Sequence, residues 1–135
     1  MFKKGDDLRQ DILTIQLFKV MFNMWFDRGL KLKMSNYTVI STGYFQGMLE
    51  IVTESETLAQ IHRNYGITAP LSSKPLKQWL DKEIKNNQLY INNFKLSCVS
   101  YCLATFVLGI GDRHNDNLMI KKVSLIILTP ITIEW

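Results

Sequence analysis

Two cysteines, two histidines and three prolines are all that 135 residues contain. Cys98 and Cys102 cannot build a disulfide scaffold, and they leave a zinc cage short of ligands. His62 and His114 give little scope for a histidine-based metal site. Seven glycines are too few for a collagen-like chain or a flexible linker. The opening run Phe2-Lys3-Lys4-Gly5-Asp6-Asp7 has no apolar core and does not read as a signal peptide. The longest uncharged run, residues 96–111, spans 16 residues, short of the roughly 20 that a membrane-crossing helix needs. What is present is an apolar share of 47% and a formal net charge of +4. The first implies a packed core. The second suits phosphate-bearing partners or an anionic membrane surface without being a polybasic tail. The expectation is a reduced, intracellular, mixed globular chain.

Hydrophobic spacing lays out the elements. Leu8, Ile12, Ile15, Phe18, Phe22, Trp25 and Phe26 recur mostly three and four apart, and Gly29 follows. This predicts a helix over 7–27, with Asp7 as N-cap, Gln10 closing a capping box, and Arg9, Asp11, Lys19 and Asp27 on a solvated face. Two β-branched runs, 37–42 and 48–52, flank the five residues Gly43-Tyr44-Phe45-Gln46-Gly47 and predict an antiparallel pair. Residues 56–64 predict a short helix capped by Ser55, with His62 at the surface. Pro75 opens another helix, to about residue 83, with Leu76, Trp79 and Leu80 on one face. Residues 89–108 are apolar nearly all round and predict a helix at the centre of a core, with Cys98 and Cys102 as packing residues. Residues 123–135 carry one charge, Glu134, lack clear alternation, and differ in character from what precedes them.

Between the long apolar helix and this tail lies Gly109-Ile110-Gly111-Asp112-Arg113-His114-Asn115-Asp116-Asn117. Loops held by rigid elements are where chemistry concentrates. Phosphoryl transfer asks a protein mainly for positioning and charge neutralisation. An acid and an amide five residues apart can divide that labour, one orienting the attacking hydroxyl and the other holding magnesium. His114 is a natural proton acceptor near neutral pH, and Arg113 a structural clamp. By itself the pattern also fits a capped polar turn without catalysis, because Asp, Asn and Gly are the default loop residues.

That loop, together with Lys4-Gly5-Asp6-Asp7-Leu8-Arg9-Gln10-Asp11, resembles the catalytic domain of phosphoinositide 3-kinases from about residue 2 to 122. Ser41-Thr42-Gly43, Gly47-Met48, Glu56-Thr57-Leu58 and Pro75-Leu76-Lys77-Gln78-Trp79-Leu80 look most like class II members, with class I next. The order Asp-Arg-His is foreign to the protein-kinase signature. The resemblance implies an α+β fold, a partial lipid/protein-kinase-like catalytic core. Residues 1–52 would form a partial small lobe with the hinge, 53–122 a partial large lobe with the catalytic loop, and 123–135 a tail outside the family.

The resemblance also implies ATP and magnesium as cofactors, a phosphoinositide substrate at a membrane surface, a possible regulatory subunit, no nucleic acid, and a cytoplasmic location peripheral to membranes. Residue by residue, it makes Asp112, His114 and Arg113 catalytic, with His114 the base toward the inositol hydroxyl, and Asn117 a magnesium ligand. Asp7 and Tyr37 would shape an inner pocket. Leu49, Glu50 and Val52 would form the hinge, with backbone groups of Glu50 and Val52 on the adenine edge and Met119 beneath the ring. The lysine contacting the ATP phosphates is expected upstream of Met1, since Lys3 and Lys4 stand close to Asp7. No Asp follows Asn117 to provide a second magnesium ligand. The expectation is therefore a lipid-kinase fragment inactive by itself and either poorly soluble or reliant on a partner. The alternative is a non-catalytic remnant that only binds nucleotide or a partner.

Overall fold

The computed structural model describes residues 1–64, 74–84, 87–111, 114–122, 124 and 126–128. The order is β1 (Phe2–Lys4), α1 (Leu8–Asp27), β2 (Val39–Gly43), β3 (Gln46–Leu49), β4 (Ser55–Thr57), α2 (Leu58–Arg63), α3 (Lys74–Ile84), α4 (Gln88–Val107), β5 (Met119–Lys121) and β6 (Ile126–Leu128). Helices and small antiparallel sheets together make the α+β class expected from the sequence. No described helix is long and apolar enough to cross a membrane.

Both long helices form where the apolar spacing places them, and they end alike. At the end of α1, Gly29 lies at φ +73. Its amide donates to the Phe26 carbonyl, and the Leu30 amide to that of Trp25, both at 2.9 Å. At the end of α4, Gly109 lies at φ +65, with the Ile110 amide on the Thr105 carbonyl at 2.9 Å. This pairing satisfies the last carbonyls and needs a left-handed residue that glycine adopts without strain. Asp7 caps α1, but not through a box with Gln10. Its carboxylate accepts from the Arg9 amide at 3.2 Å and from the Arg9 guanidinium at 2.8 and 2.6 Å. A two-pronged cation two residues on outcompetes the amide three residues on.

The first sheet has the order β1-β3-β2. It contains a strand ahead of α1 that the sequence reading did not include: Phe2, Lys3 and Lys4 pair with Met48, Gly47 and Gln46. The hairpin loop is also tighter than the glycines suggest, because Gly43 and Gln46 are paired. Tyr44 and Phe45 alone form the tip between that pair, Phe45 at φ +52. The extra residue of the turn is absorbed by a register shift between Ser41 and Gly43. Beyond the hairpin, Ser55 does not cap a helix. Residues 55–57 form β4 by pairing with Lys121, Ile120 and Met119, and Thr57 closes a reciprocal box with Gln60, at 3.1 Å and 2.8 Å. This start is two residues later than local spacing suggests, because the partner strand lies far along the chain. The second sheet is β4-β5-β6.

Two apolar clusters hold these pieces. One joins Ile15 and Phe18 of α1, Tyr37, Tyr101 and Ala104 of α4, and Ile110, with Leu49 and Val52 packed against it. Phe18 and Tyr101 meet edge-to-face at 5.8 Å. The other joins Ile61, Trp79 and Ile120, with Leu76 and Leu80 against it, as the face predicted for α3 requires.

Helix α4 corrects an expectation. Its buried residues are Ser97, Ser100, Tyr101 and Ala104, whereas Leu89, Val99, Leu103, Phe106 and Val107 are exposed. A helix apolar all round carries no record of which side is covered. The covered side is the one whose small residues admit another backbone: the Ser100 hydroxyl accepts the Lys33 amide at 3.1 Å, and the Tyr101 hydroxyl donates to the Ser35 carbonyl. Cys98 is consequently half-buried and Cys102 exposed.

At Gly47, both α1 and the neighbouring strand β2 approach the β3 backbone closely. A methyl group there would meet the Ile40 carbonyl at 2.3 Å and Leu8 Cδ1 at 2.7 Å, whereas one at Gly43 meets only the movable Gln46 side chain. Gly47→Ala should therefore destabilise the chain by about 2–3 kcal/mol, and Gly43→Ala by about 0.5 kcal/mol or less. Denaturant unfolding of both variants checks this; equal losses would contradict the close approach.

Candidate functional site

The predicted hinge begins where the first sheet ends. Leu49 exchanges both backbone hydrogen bonds with Met1, at 2.7 and 2.8 Å. One residue on, the Glu50 amide donates to the Thr38 carbonyl at 2.8 Å. The Glu50 carboxylate accepts the Thr38 amide, also at 2.8 Å, and that bond holds its pKa below the usual glutamate value. Ser55 Oγ donates to the Val52 carbonyl at 2.8 Å. Among the described residues, the Glu50 carbonyl and the Val52 amide have no hydrogen-bond partner. A free acceptor and a free donor thus lie two residues apart in an extended strip. Leu49 and Val52 pack on the cluster that contains Tyr37 and Ile110, so the predicted hinge, the predicted pocket tyrosine and the root of the predicted catalytic loop share one apolar body. Tyr37 is 7% exposed.

The loop beyond Ile110 is anchored from the other side. The first two amides of α2 are not left to solvent: Leu58 donates to the Leu118 carbonyl at 2.9 Å, and Ala59 to that of Asn115 at 3.0 Å. Within the turn, the Asn117 amide donates to the His114 carbonyl at 2.9 Å, and the Asp116 amide to His114 Nδ1 at 3.2 Å. A ring nitrogen that accepts carries no proton, so the neutral His114 ring holds its proton on Nε2. Met119 follows on β5, half-buried and paired with Thr57 and Leu128. Asp112 and Arg113 lie outside the described residues.

Two side chains stand out that the sequence reading gave no site role. Asp11, placed there on a solvated face, is 5% exposed, and its Oδ1 is a buried oxygen without a hydrogen-bond partner among the described residues. Burial pushes its pKa up to about 6; Lys3 opposes the rise, and Asp6 and Asp7 add to it. The signal was present in the sequence, because Leu8, Asp11, Ile15 and Phe18 fall on one helical face, so that an acid interrupts an apolar stripe.

The second is Lys3. Residues paired across an antiparallel ladder share a face, and the partner of Lys3 is Gly47, whose open side is closed by Leu8 of α1. Lys3 therefore leans toward the first turn of α1, where it pairs with Asp6 and acts on Asp11. Asp7, the acid predicted for the inner pocket, is occupied as the helix cap and by Arg9, which lowers its pKa. His62, predicted at the surface, is half-buried, with Nδ1 3.5 Å from Asn115 Nδ2.

The described residues fit some of the groups expected from the sequence better than others. An apolar body flanked by a free carbonyl–amide pair suits the edge of adenine, which offers an amino donor and ring acceptors. An orphaned carboxylate with a lysine beside it suits a polar ligand tail. For a divalent cation the described residues offer less: no group of three His, Cys, Asp or Glu is suited to hold one. Magnesium carried by a nucleotide asks for only one or two protein ligands, because phosphates and water supply the rest.

The profile of the family described as phosphatidylinositol 3- and 4-kinase matches residues 1–131. Phosphatidylinositol 3-kinase 1 of Dictyostelium discoideum is 50% identical over 127 residues, covering 90% of this chain and 8% of that protein. The human phosphatidylinositol 3-kinase C2 domain-containing subunit gamma is 44% identical over 125 residues, with the same coverage. The phosphatidylinositol 4-phosphate 3-kinase C2 domain-containing subunit alpha of Pongo abelii is 46% identical over 125 residues, covering 90% of this chain and 7% of that protein. The chain thus spans less than a tenth of the length of these relatives.

The Asp11 environment makes a signed prediction. A carboxyl whose folded-state pKa is raised binds its proton more tightly in the native state, so its contribution is fully present below pH 4 and is lost as pH rises through about 6. Asp11→Asn removes that dependence. The stability difference between variant and parent should move in the variant's favour by on the order of 2 kcal/mol between pH 4 and pH 7. Denaturant unfolding at both pH values tests this, and a difference that does not change with pH would show Asp11 to be solvated.

Proposed function

The chain belongs to the phosphatidylinositol 3- and 4-kinase family, and from that premise we propose that it supplies part of the nucleotide-facing wall and catalytic loop of a phosphatidylinositol 3-kinase, class II-like in type. The proposed reaction moves the γ-phosphoryl of ATP to the 3-hydroxyl of a phosphoinositide. The observation that carries this reading is the Glu50 carbonyl and Val52 amide, unpaired among the described residues, beside the cluster containing Tyr37 and Ile110. The reading places the protein in the cytoplasm, peripheral to membranes, and gives it no nucleic-acid partner. A regulatory subunit is part of the same proposal, supported by relatives that are themselves named subunits.

Residue roles follow from position. Glu50 and Val52 would take the adenine edge through their backbone, with Leu49, Tyr37 and Met119 as apolar surroundings. Asp11, rather than the clamped Asp7, is the better candidate for the acid of the inner wall. Lys3 on β1, rather than a residue upstream of Met1, is the candidate for the ATP phosphates. Bound MgATP supplies the transferable phosphoryl group and the cation that neutralises its oxygens. Asn117 would contribute an amide oxygen to that cation, Asp112 and Arg113 would complete the loop, and His114 would accept the proton of the attacking hydroxyl. A base role for His114 requires the Asp116 amide to release Nδ1 when the hydroxyl is presented, in keeping with loop contacts that rearrange on substrate binding.

Two observations favour the non-catalytic reading for these residues taken alone. His114 Nδ1 is already occupied, and residues 118–135 contain no Asp. Each missing electrostatic contact costs roughly 100- to 1000-fold in rate. We therefore expect this chain to bind MgATP without measurable turnover of phosphatidylinositol. Calorimetric titration with MgATP tests binding, and radiolabelled ATP with phosphatidylinositol vesicles tests turnover. Lys3→Met should weaken MgATP binding about tenfold, the loss of one charge-assisted contact, while leaving adenosine binding unchanged. Absence of heat with both ligands would remove the nucleotide-binding reading, and turnover by this chain would remove the non-catalytic one.

A further inference from the structure

The His62 contact has no place in the family roles assigned above. His62 lies on α2 one turn beyond Ala59, and residues three apart share a helix face. From that face the Ala59 amide holds the Asn115 carbonyl at 3.0 Å, and His62 Nδ1 stands 3.5 Å from the Asn115 side-chain nitrogen. Asn115 is therefore approached at both its carbonyl and its side-chain amide by one helix. That helix is itself fixed: Thr57 and Gln60 close its capping box, and Ile61 is fully buried against Trp79 and Ile120.

The chemistry sets the protonation of the ring. An amide nitrogen only donates, so Nδ1 accepts, and the neutral His62 ring carries its proton on Nε2. The distance is long for a direct bond, and contacts of this kind tighten when a catalytic loop is loaded. Asn115 adjoins His114, whose carbonyl and ring nitrogen accept the Asn117 and Asp116 amides. Fixing Asn115 thus limits the movement of the turn that presents both His114 and Asn117.

We propose that His62 is a positioning residue which, through Nδ1 and the Asn115 side chain, sets the place of the turn carrying His114 and Asn117. Its purpose rests on the phosphotransfer reading above, but its geometry does not. A purely structural His62 would fill space on α2 and would be indifferent to its tautomer.

The test uses the two-histidine content of the chain. Ring-nitrogen NMR of the labelled full chain at a pH where both rings are neutral should show His62 with Nδ1 unprotonated. In His62→Phe the Asn115 side-chain amide and the His114 ring signals should shift, and amide exchange over residues 115–117 should quicken about tenfold, the loss of one hydrogen bond. His62→Gln, whose Oε1 can accept the same proton, should restore at least half of that protection. The proposal is overturned by a protonated Nδ1, by His62→Phe leaving these signals unchanged while the β5 amides stay native, or by failure of the glutamine rescue. Should the phenylalanine variant unfold, the tautomer in the unmodified chain still decides. Titrating MgATP into the same sample separates the two readings: no response with the tautomer as expected would end the nucleotide reading and leave the positioning contact intact.

Discussion

Pairing between residues 55–57 and 119–121 is the constraint on which the rest depends. It joins the stretch just after the proposed hinge to the stretch just after the proposed catalytic loop, and the anchors of that loop on α2 are built on it. Because β4 ends at Thr57, α2 begins there, and its first free amides fall where the Leu118 and Asn115 carbonyls need donors. The pairing is reinforced from one residue: Glu56 accepts the Trp79 indole at 3.0 Å and pairs with Lys122 at 2.5 Å, which holds the lysine pKa above its usual value. The Lys122 amide also donates to the carbonyl of Glu54 at 2.7 Å. Glu54 itself is held in the left-handed region at φ +53, a conformation that costs a non-glycine residue free energy and is found where surrounding contacts over-determine the backbone.

On the other side of the site, the balance concerns a buried charge. Asp11 occupies a core position on α1 with one oxygen unsatisfied among the described residues, and an unpaired buried polar group is destabilising. Buried groups with strongly perturbed pKa values cluster at functional sites. Lys3 reaches the same region only because β1 completes the first sheet. A strand, a helix turn and a hairpin thus converge on one small volume, and Gly47 is the residue whose missing side chain lets them meet.

Large apolar side chains remain outside both clusters. Leu13, Val20, Met24 and Phe26 on α1, and Val99, Leu103, Phe106 and Val107 on α4, are exposed. Exposed apolar surface on this scale is a mark of contact surfaces in soluble proteins. It accords with the relatives, of which the chain represents less than a tenth.

The sequence by itself determined what is local. Helical spacing and end signals place α1, α3 and α4 within a residue or two, since a helix is closed by bonds four residues apart. The hairpin follows from two β-branched runs, and the loop from its own dense run of polar residues. The tertiary structure alone decided what depends on distant partners. Ser55, Glu56 and Thr57 read locally as the start of a helix, and only the arrival of residues 119–121 makes them a strand. Which side of α4 is covered was undecidable from a uniformly apolar pattern, because periodicity locates a face only when polarity alternates. Asp11, Lys3 and His62 acquired their significance in the same way. A side chain's type is written in the chain, but its burial and its neighbours belong to whatever packs against it.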